Sequence, residues 1–255
     1  RYTAEVMDLA ALRLDPALLP VVLGPQDTAG EVTSAAAGYL DLTPGIPVGP
    51  GTGDNAAAAL GLGLDAGTPV ISLGTSGTAF MVSRTRTVDP SGTVAGFADA
   101  TGRFLPLAAT LNCTLAVDRI AAWLGLDREA AAEQTDAVVL PYLDGERTPN
   151  LPNAAATITG LRHTTTPEQI LRAAYEGTAM SLLGAIDVID AHSSGVDPAA
   201  PIVLVGGGAK GETWRKVIRE LSGRAVEIPA AEELVAIGAA AQGVCSSTSR
   251  ARSSS

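Results

Sequence analysis

One segment, TPVISLGTSGTAFMVSR at residues 68–84, constrains the fold more than any other part of the chain. Two apolar runs flank the four residues GTSG, a pattern typical of two β-strands joined by a tight turn. A further apolar run at 102–110 predicts a third strand. Residues 201–223 and then 225–243 each predict a strand followed by a helix. We therefore expect a mixed α/β layer with helices on its faces.

Helical periodicity marks the remaining long elements. Residues 113–125 carry apolar positions at helical spacing and end at a glycine. The longest helix is predicted from Pro167 to about His192, with Thr166 as its cap. Nearer the start, residues 4–13 show a helical pattern and residues 20–24 a short apolar run that predicts a strand.

The charge balance restricts the partners. A formal net charge of −10 disfavours a nucleic-acid partner, which normally requires a basic face. Lysine occurs only at Lys210 and Lys216. A phosphate site would therefore depend on backbone N–H groups, helix N-termini and a metal ion.

The sequence also limits where the protein is expected to be located and which metal sites it can contain. No apolar run reaches the ~18 residues of a membrane span, and no signal-peptide pattern is present, so we expect a cytoplasmic protein without a membrane partner. Cys113 and Cys245 do not suggest a disulfide framework. His163 and His192 have no Cys or His at ligand spacing, so no protein-built metal site is expected.

Two glycine-rich turns could bind a nucleotide. The first comprises Gly74, Thr75, Ser76 and Gly77, whose N–H groups and hydroxyls suit a phosphate, although most such turns only connect strands. The second, GGGAKG at 206–211, lies between a strand and a helix. It matches neither a Walker loop nor the G-x-G-x-x-G fingerprint. Close strand–helix packing and nucleotide binding both remain open for it.

Asp54 is a carboxylate within a segment largely without bulky side chains, VGPGTGDNAAAALGLG at 48–63. It could cap the alanine-rich helix that follows. It could also act as a general base, since Gly51 and Gly53 would clear space for an alcohol to reach it. The residues alone leave both roles open.

Domain organisation is indicated by composition. Three prolines and four glycines at 42–53 mark a hinge or domain boundary. The chain begins without methionine and already in a helical pattern, so we expect it to be part of a longer protein.

Five segments together resemble the C-terminal half of the FGGY family of carbohydrate kinases, most closely its xylulose kinase members. They are GTGDNAAAALG, SLGTSGT, PYLDGERTP, ITGLRHTTTPEQILRAAYEG and LVGGGAKGETWRKVIRELSG. The resemblance implies a ribonuclease-H-like lobe of the actin and hexokinase type. Residues 1–44 would be a remnant of the N-terminal lobe, 45–243 the C-terminal lobe and 244–255 a disordered tail.

The same resemblance implies roles for individual residues. Asp54 would be the catalytic base, and Asn55 would help to seat the sugar. The nucleotide would be held at its terminal phosphates by one turn and at its α-phosphate, ribose and adenosine by the other: Gly74, Thr75 and Ser76, then Gly207, Gly208, Ala209, Lys210 and Glu212. Mg²⁺ would be bound through phosphates and water.

The implied reaction is transfer of the ATP γ-phosphate to D-xylulose, giving D-xylulose 5-phosphate. The family's own acidic phosphate hairpin and much of its sugar pocket are not in this sequence, so the fragment is expected to be inactive alone. Glycerol, ribulose or gluconate are alternative substrates within the family. A non-catalytic actin-like nucleotide-binding module is an alternative of another class, and a Rossmann dehydrogenase domain is disfavoured because the fingerprint is missing. The sequence does not fix the oligomeric state, and a homodimer stays open.

Overall fold

The computed structural model describes residue 8 and residues 15–253, which form six α-helices and ten β-strands. The helix predicted over residues 4–13 lies, apart from Asp8, outside the described residues. The helices are α1 Ser34–Leu40, α2 Asp54–Leu62, α3 Thr114–Leu124, α4 Pro167–Ala191, α5 Glu212–Ser222 and α6 Leu234–Ser253. Short 3-10 helices occur at Pro16–Leu18, Arg128–Ala130 and Gly207–Lys210. The strands are β1 Gly30–Glu31, β2 Pro47–Val48, β3 Val70–Leu73, β4 Gly77–Phe80, β5 Ala95–Ala98, β6 Phe104–Thr110, β7 Val138–Leu140, β8 Thr157–Thr159, β9 Ile202–Val205 and β10 Val226–Glu227.

The central sheet has six strands in the order β10-β9-β3-β4-β6-β5. β3 pairs in parallel with β9, and β9 with β10, whereas β3, β4, β6 and β5 are joined by antiparallel pairs. The hairpin predicted at 68–84 is confirmed as β3 and β4, and the predicted third strand, β6, pairs with β4. The predicted fold class, a mixed sheet flanked by helices, is confirmed.

Side chains that alternate along the strands are buried on the two opposite faces of this sheet. Ile71 and Leu73 of β3 pack in a cluster with residues of α3, α4 and α5. Val70, which precedes Ile71 and so points to the other face, packs instead with Ala56 and Ala59 of α2. Because successive strand side chains point to opposite faces, the sheet separates two helical layers.

The long helix α4 begins where the sequence predicts. The Thr166 hydroxyl accepts the N–H of Gln169 at 3.4 Å, and the Gln169 side chain accepts the N–H of Thr166 at 3.1 Å. This capping box, with Pro167 in the first turn, satisfies two N–H groups that the helix itself leaves unpaired. The helix ends at Ala191, beside the predicted His192.

The chain divides into two compact units. One contains Asp54–Gly238, and the other contains the residues up to Gly53 together with those from Ala239 onwards. The division at Gly53 falls at the end of the glycine- and proline-rich stretch. All the predicted site residues lie within the unit Asp54–Gly238.

Two predicted features differ from the structure. Residues 20–24 are not a strand: Val21 and Val22 are exposed, and no strand pairs with this segment among the described residues. The tail predicted as disordered from residue 244 continues α6 as far as Ser253. After Gly243 the tail contains no glycine or proline that would end the helix.

Candidate functional site

The two glycine-rich turns follow neighbouring parallel strands. Ser72 of β3 pairs with Val205 of β9, so both strands end at the same edge of the sheet. Gly74–Ser76 directly follows β3, and GGGAKG directly follows β9. The carboxyl ends of parallel strands are where open α/β sheets usually bind ligands.

Packing between the turns explains two of the three consecutive glycines. Gly206 has a φ of +85°, and a Cβ there would lie 2.8 Å from the carbonyl oxygen of Leu73. A Cβ on Gly208 would lie 2.8 Å from the Leu73 Cβ and 2.7 Å from the Thr114 Cγ2. These distances leave no room for a methyl group, so Gly206 and Gly208 allow the two turns to approach each other.

Gly207 has no such explanation. It is exposed, its φ lies outside the left-handed region, and a Cβ there would meet no described heavy atom within 4 Å. A glycine with free space in front of its backbone permits close approach of a ligand. The second turn therefore combines strand–helix packing at two positions with an open backbone at a third.

The first turn is held at Gly74 by hydrogen bonds from Thr114, and its next two residues are exposed. The Gly74 carbonyl accepts hydrogen bonds from the Thr114 N–H at 3.1 Å and the Thr114 hydroxyl at 2.8 Å. Thr75 and Ser76 are exposed, whereas Gly77 is buried. The N-terminus of α3 thus lies against this turn. Thr114 is not among the predicted site residues, although a threonine near the start of a predicted helix is a signal for such a role.

Asp54 is the first residue of α2, and its side chain is exposed. Its Oδ1 accepts the backbone N–H of Asn55 at 2.8 Å and the side-chain Nδ2 of Asn55 at 3.1 Å. A capping carboxylate normally accepts an N–H two or three residues further on. Among the described residues this carboxylate bonds only to Asn55. The contacts therefore favour a carboxylate oriented by its neighbour over a simple helix cap.

The C-terminal end of α2 lies near the start of β9, because Leu62 and Gly63 line a cavity with Pro201 and Val203. Among the described residues, no hydrogen bond or ion pair joins Asp54 to either glycine-rich turn.

A polar cavity of about 560 Å³ adjoins the second turn. Its lining includes Lys210, Glu212, Thr213 and Glu129. Glu129 accepts the Thr213 N–H at 3.0 Å and the Thr213 hydroxyl at 2.8 Å, and Lys210 lies 3.2 Å from Glu232. This volume is within the range of small-molecule sites. Lys210 and Glu212 both line this cavity, which adjoins the glycines of the second turn.

A larger cavity, of about 740 Å³, lies elsewhere in the same unit. It runs along α4 and β7, is mainly apolar, and is lined by none of the predicted site residues. The candidate site at the strand ends is instead marked by the open backbone at Gly207 and by the polar lining of the cavity beside it.

Cys113 precedes α3 and is fully buried, and burial raises the pKa of its thiol to about 12. Since the thiolate is the reactive form, Cys113 should resist thiol reagents at pH 8 while the exposed Cys245 reacts. We expect Ellman's reagent to modify one thiol per native chain and the second only after denaturation. Cys245→Ser should remove the native reaction, and rapid modification of both thiols in the native chain would contradict the burial of Cys113.

No helix among the described residues is long and apolar enough to cross a membrane.

Comparison with known protein families identifies the family of this chain. Residues 70–247 match the model of the C-terminal domain of the FGGY family of carbohydrate kinases. The chain belongs to this family. The match includes both glycine-rich turns, α3 and α4, and it confirms the resemblance found in the sequence.

Individual relatives that are similar to this chain are named xylulose kinases. The chain is 61% identical over 242 residues to a xylulose kinase of Streptomyces coelicolor, and 58% identical over 241 residues to one of Streptomyces rubiginosus. Both alignments cover 94% of this chain and 49% of the relative. The solved xylulose kinase of Bifidobacterium adolescentis is 41% identical, with a TM-score of 0.80 over 91% of this chain and 47% of that chain. The chain thus spans about half the length of the curated relatives it matches.

Proposed function

We propose that the protein containing this chain transfers the γ-phosphate of ATP to D-xylulose, giving D-xylulose 5-phosphate. The observation that carries this proposal is 61% identity, over almost the whole chain, to a relative named xylulose kinase. The geometry supports the phosphoryl-transfer part, because the two glycine-rich turns follow neighbouring parallel strands and Asp54 is an exposed carboxylate in the same compact unit.

Asp54 is the proposed general base. Its carboxylate would accept the proton of the sugar's terminal hydroxyl as that oxygen attacks the γ-phosphorus. The two hydrogen bonds from Asn55 occupy Oδ1 and leave Oδ2 without a partner among the described residues, so one oxygen is available for the substrate. Asn55 would orient this carboxylate and help to seat the sugar.

The nucleotide is proposed to bind across the two turns. Gly74, Thr75 and Ser76 would bind the terminal phosphates through backbone N–H groups and hydroxyls. The open backbone at Gly207, with Gly208 and Ala209, would lie along the α-phosphate and ribose. The adjoining polar cavity, with Lys210 and Glu212, would receive the adenosine.

Mg²⁺ suits the donors at this edge. The hydroxyls of Thr75 and Ser76 are exposed hard oxygen donors, which fits an ion held mainly by phosphates and water. The ion would supply neutralisation of phosphate charge. The protein residues would supply orientation and the base.

The region before the family match is proposed to belong with an N-terminal lobe. We propose that residues 1–44 are the last elements of that lobe, and that residues from 45 onwards form the C-terminal lobe. Much of the sugar pocket would then come from the half of the relatives that this chain does not cover, so this chain alone should not phosphorylate xylulose.

Two measurements test the proposal. Calorimetric titration of this chain with MgADP should show saturable binding. A chimera that places the N-terminal half of the Streptomyces coelicolor relative before this chain should phosphorylate D-xylulose. Nucleotide binding by a chimera that folds but releases no ADP with any sugar would favour a non-catalytic actin-like module, and ADP release only with glycerol, ribulose or gluconate would reassign the substrate.

Gly207→Ala should separate ligand binding from folding. A methyl group at Gly207 meets no described atom, so thermal stability should be unchanged, while MgADP affinity should fall ~10-fold if the ligand approaches this backbone. Gly208→Ala is the matched control, because its methyl group would collide with Leu73 and Thr114 and should lower stability as well. Unchanged affinity in Gly207→Ala would contradict the placement of the nucleotide at this turn.

A further inference from the structure

Glu146 is a buried carboxylate for which the proposed mechanism has no use. It belongs to the PYLDGERTP segment and is 1% exposed. The described residues place no cation within ion-pair distance of it. A buried carboxylate without a cation needs several hydrogen-bond donors to replace the water that it loses on burial.

Backbone N–H groups from two separate segments supply these donors. Oε1 accepts the N–H of Leu111 at 2.6 Å and that of Arg147 at 2.7 Å. Oε2 accepts the N–H of Asn112 at 3.2 Å and its side-chain Nδ2 at 3.0 Å. The carboxylate therefore ties its own loop to Leu111–Asn112.

Leu111 and Asn112 join β6 to α3 at the edge of the candidate site. Thr110, the last residue of β6, pairs with Gly77, which is both the last residue of the GTSG turn and the first of β4. The Thr110 hydroxyl also lies 3.3 Å from the carbonyl oxygen of Asn112. Glu146 thus holds a peptide segment that lies next to the proposed phosphate turn.

The connection continues to that turn through α3. Cys113, which precedes the helix, forms no side-chain capping hydrogen bond. Thr114 follows it and donates both its N–H and its hydroxyl to the carbonyl of Gly74. The start of α3 is therefore fixed from outside the helix, by Glu146 on one side and by Gly74 on the other.

We propose that Glu146 is a positioning residue that fixes the start of α3 against the Gly74 turn and so sets the geometry of the nucleotide's phosphate site. It touches neither substrate nor nucleotide and acts through Asn112 and Thr114. The nucleotide part of this inference rests on the proposed function, whereas the structural link from Glu146 to Gly74 does not.

Glu146→Gln tests the link with little change in shape. Glutamine replaces one acceptor oxygen with an NH₂ group, which must then face an N–H. Asp99 offers a matched control: it is 7% exposed and accepts the N–H of Thr101 at 2.9 Å and that of Arg103 at 2.6 Å. It lies between β5 and β6, at the edge of the sheet opposite to Thr110. Asp99→Asn should therefore destabilise the fold without reaching the site.

The first readout is amide hydrogen exchange of this chain without nucleotide. Glu146→Gln should speed exchange of the Thr114 amide ~10-fold relative to wild type, beyond any change in global stability, and Asp99→Asn should not. The second readout is MgADP affinity, which should fall ~10-fold in Glu146→Gln and stay within about twofold of wild type in Asp99→Asn. Glu146→Asp, which keeps the carboxyl group on a shorter side chain, should show smaller changes in the same direction. It replaces Glu146→Gln if that variant folds poorly.

Unchanged Thr114 exchange in the Glu146 variants, or an equal change in Asp99→Asn, would overturn the inference. Altered exchange with unchanged affinity would overturn it too, since the turn would then not depend on Glu146 for binding. If wild type itself does not bind MgADP, the proposed nucleotide site fails in this chain, and the exchange readout alone decides whether Glu146 positions α3.

Discussion

Asp54→Asn is expected to lower D-xylulose phosphorylation by ~10²–10⁴-fold in the chimera with the Streptomyces coelicolor N-terminal half. Asparagine keeps the size of the side chain but cannot accept the proton of the attacking hydroxyl. Affinity for MgADP should stay within about twofold of the unsubstituted chimera, because the proposed nucleotide contacts come from the two glycine-rich turns. A coupled ADP-release assay and calorimetry measure the two quantities.

The control for this variant is Asp65→Asn. Asp65 is also exposed and lies beyond the other end of α2. Asp65→Asn should therefore leave the turnover of the chimera unchanged. If Asp54→Asn kept the turnover of the unsubstituted chimera, Asp54 could not be the base. The helix-capping interpretation would then be favoured.

Gly238→Ala is expected to destabilise the chain by about 3 kcal/mol. Helices α2 and α6 touch backbone to backbone: a Cβ on Gly238 would overlap the carbonyl oxygen of Ala57 and lie 3.0 Å from the N of Gly61. A Cβ on Gly61 would in turn overlap the carbonyl oxygen of Leu234. No flexible side chain can move aside to relieve these collisions. The midpoint of thermal unfolding should fall by roughly 6–12 °C, as circular dichroism would show.

Gly243→Ala, in the same helix, is the matched substitution. A Cβ at Gly243 would meet no described atom within 4 Å, so alanine should raise stability slightly through its better helix propensity. If Gly238→Ala behaved like Gly243→Ala, the close approach of α2 and α6 would not exist in solution.

Local signals account for the part of the fold that was predictable. The hairpin at 68–84 has apolar strands on both sides of a short turn, and α4 has a cap, a proline and a long apolar face. β5 was missed because AGFA is short and mostly exposed, with no alternation to distinguish it. The strand expected at residues 20–24 shows the opposite error, since β-branched residues form a strand only where a partner strand is available.

The candidate site was predictable as separate segments but not as an arrangement. Glycine-rich sequence could not distinguish Gly206 and Gly208, which packing requires, from Gly207, which faces open space. Thr114 and Glu146 were missed because their importance depends on contacts with Gly74 and Leu111, which are distant from them in the chain. Such contacts leave no periodic pattern in a single sequence.

The parallel pairing of β3 with β9 also determines when the site can form during folding. Val70 pairs with Val203, so the long intervening segment must be closed into a loop before the two glycine-rich turns meet. Contacts between such distant residues tend to form slowly, and during synthesis the second turn emerges long after the first. With the proposed function, affinity for nucleotide should therefore appear late in folding, which would make it a reporter that the whole unit has reached its native state.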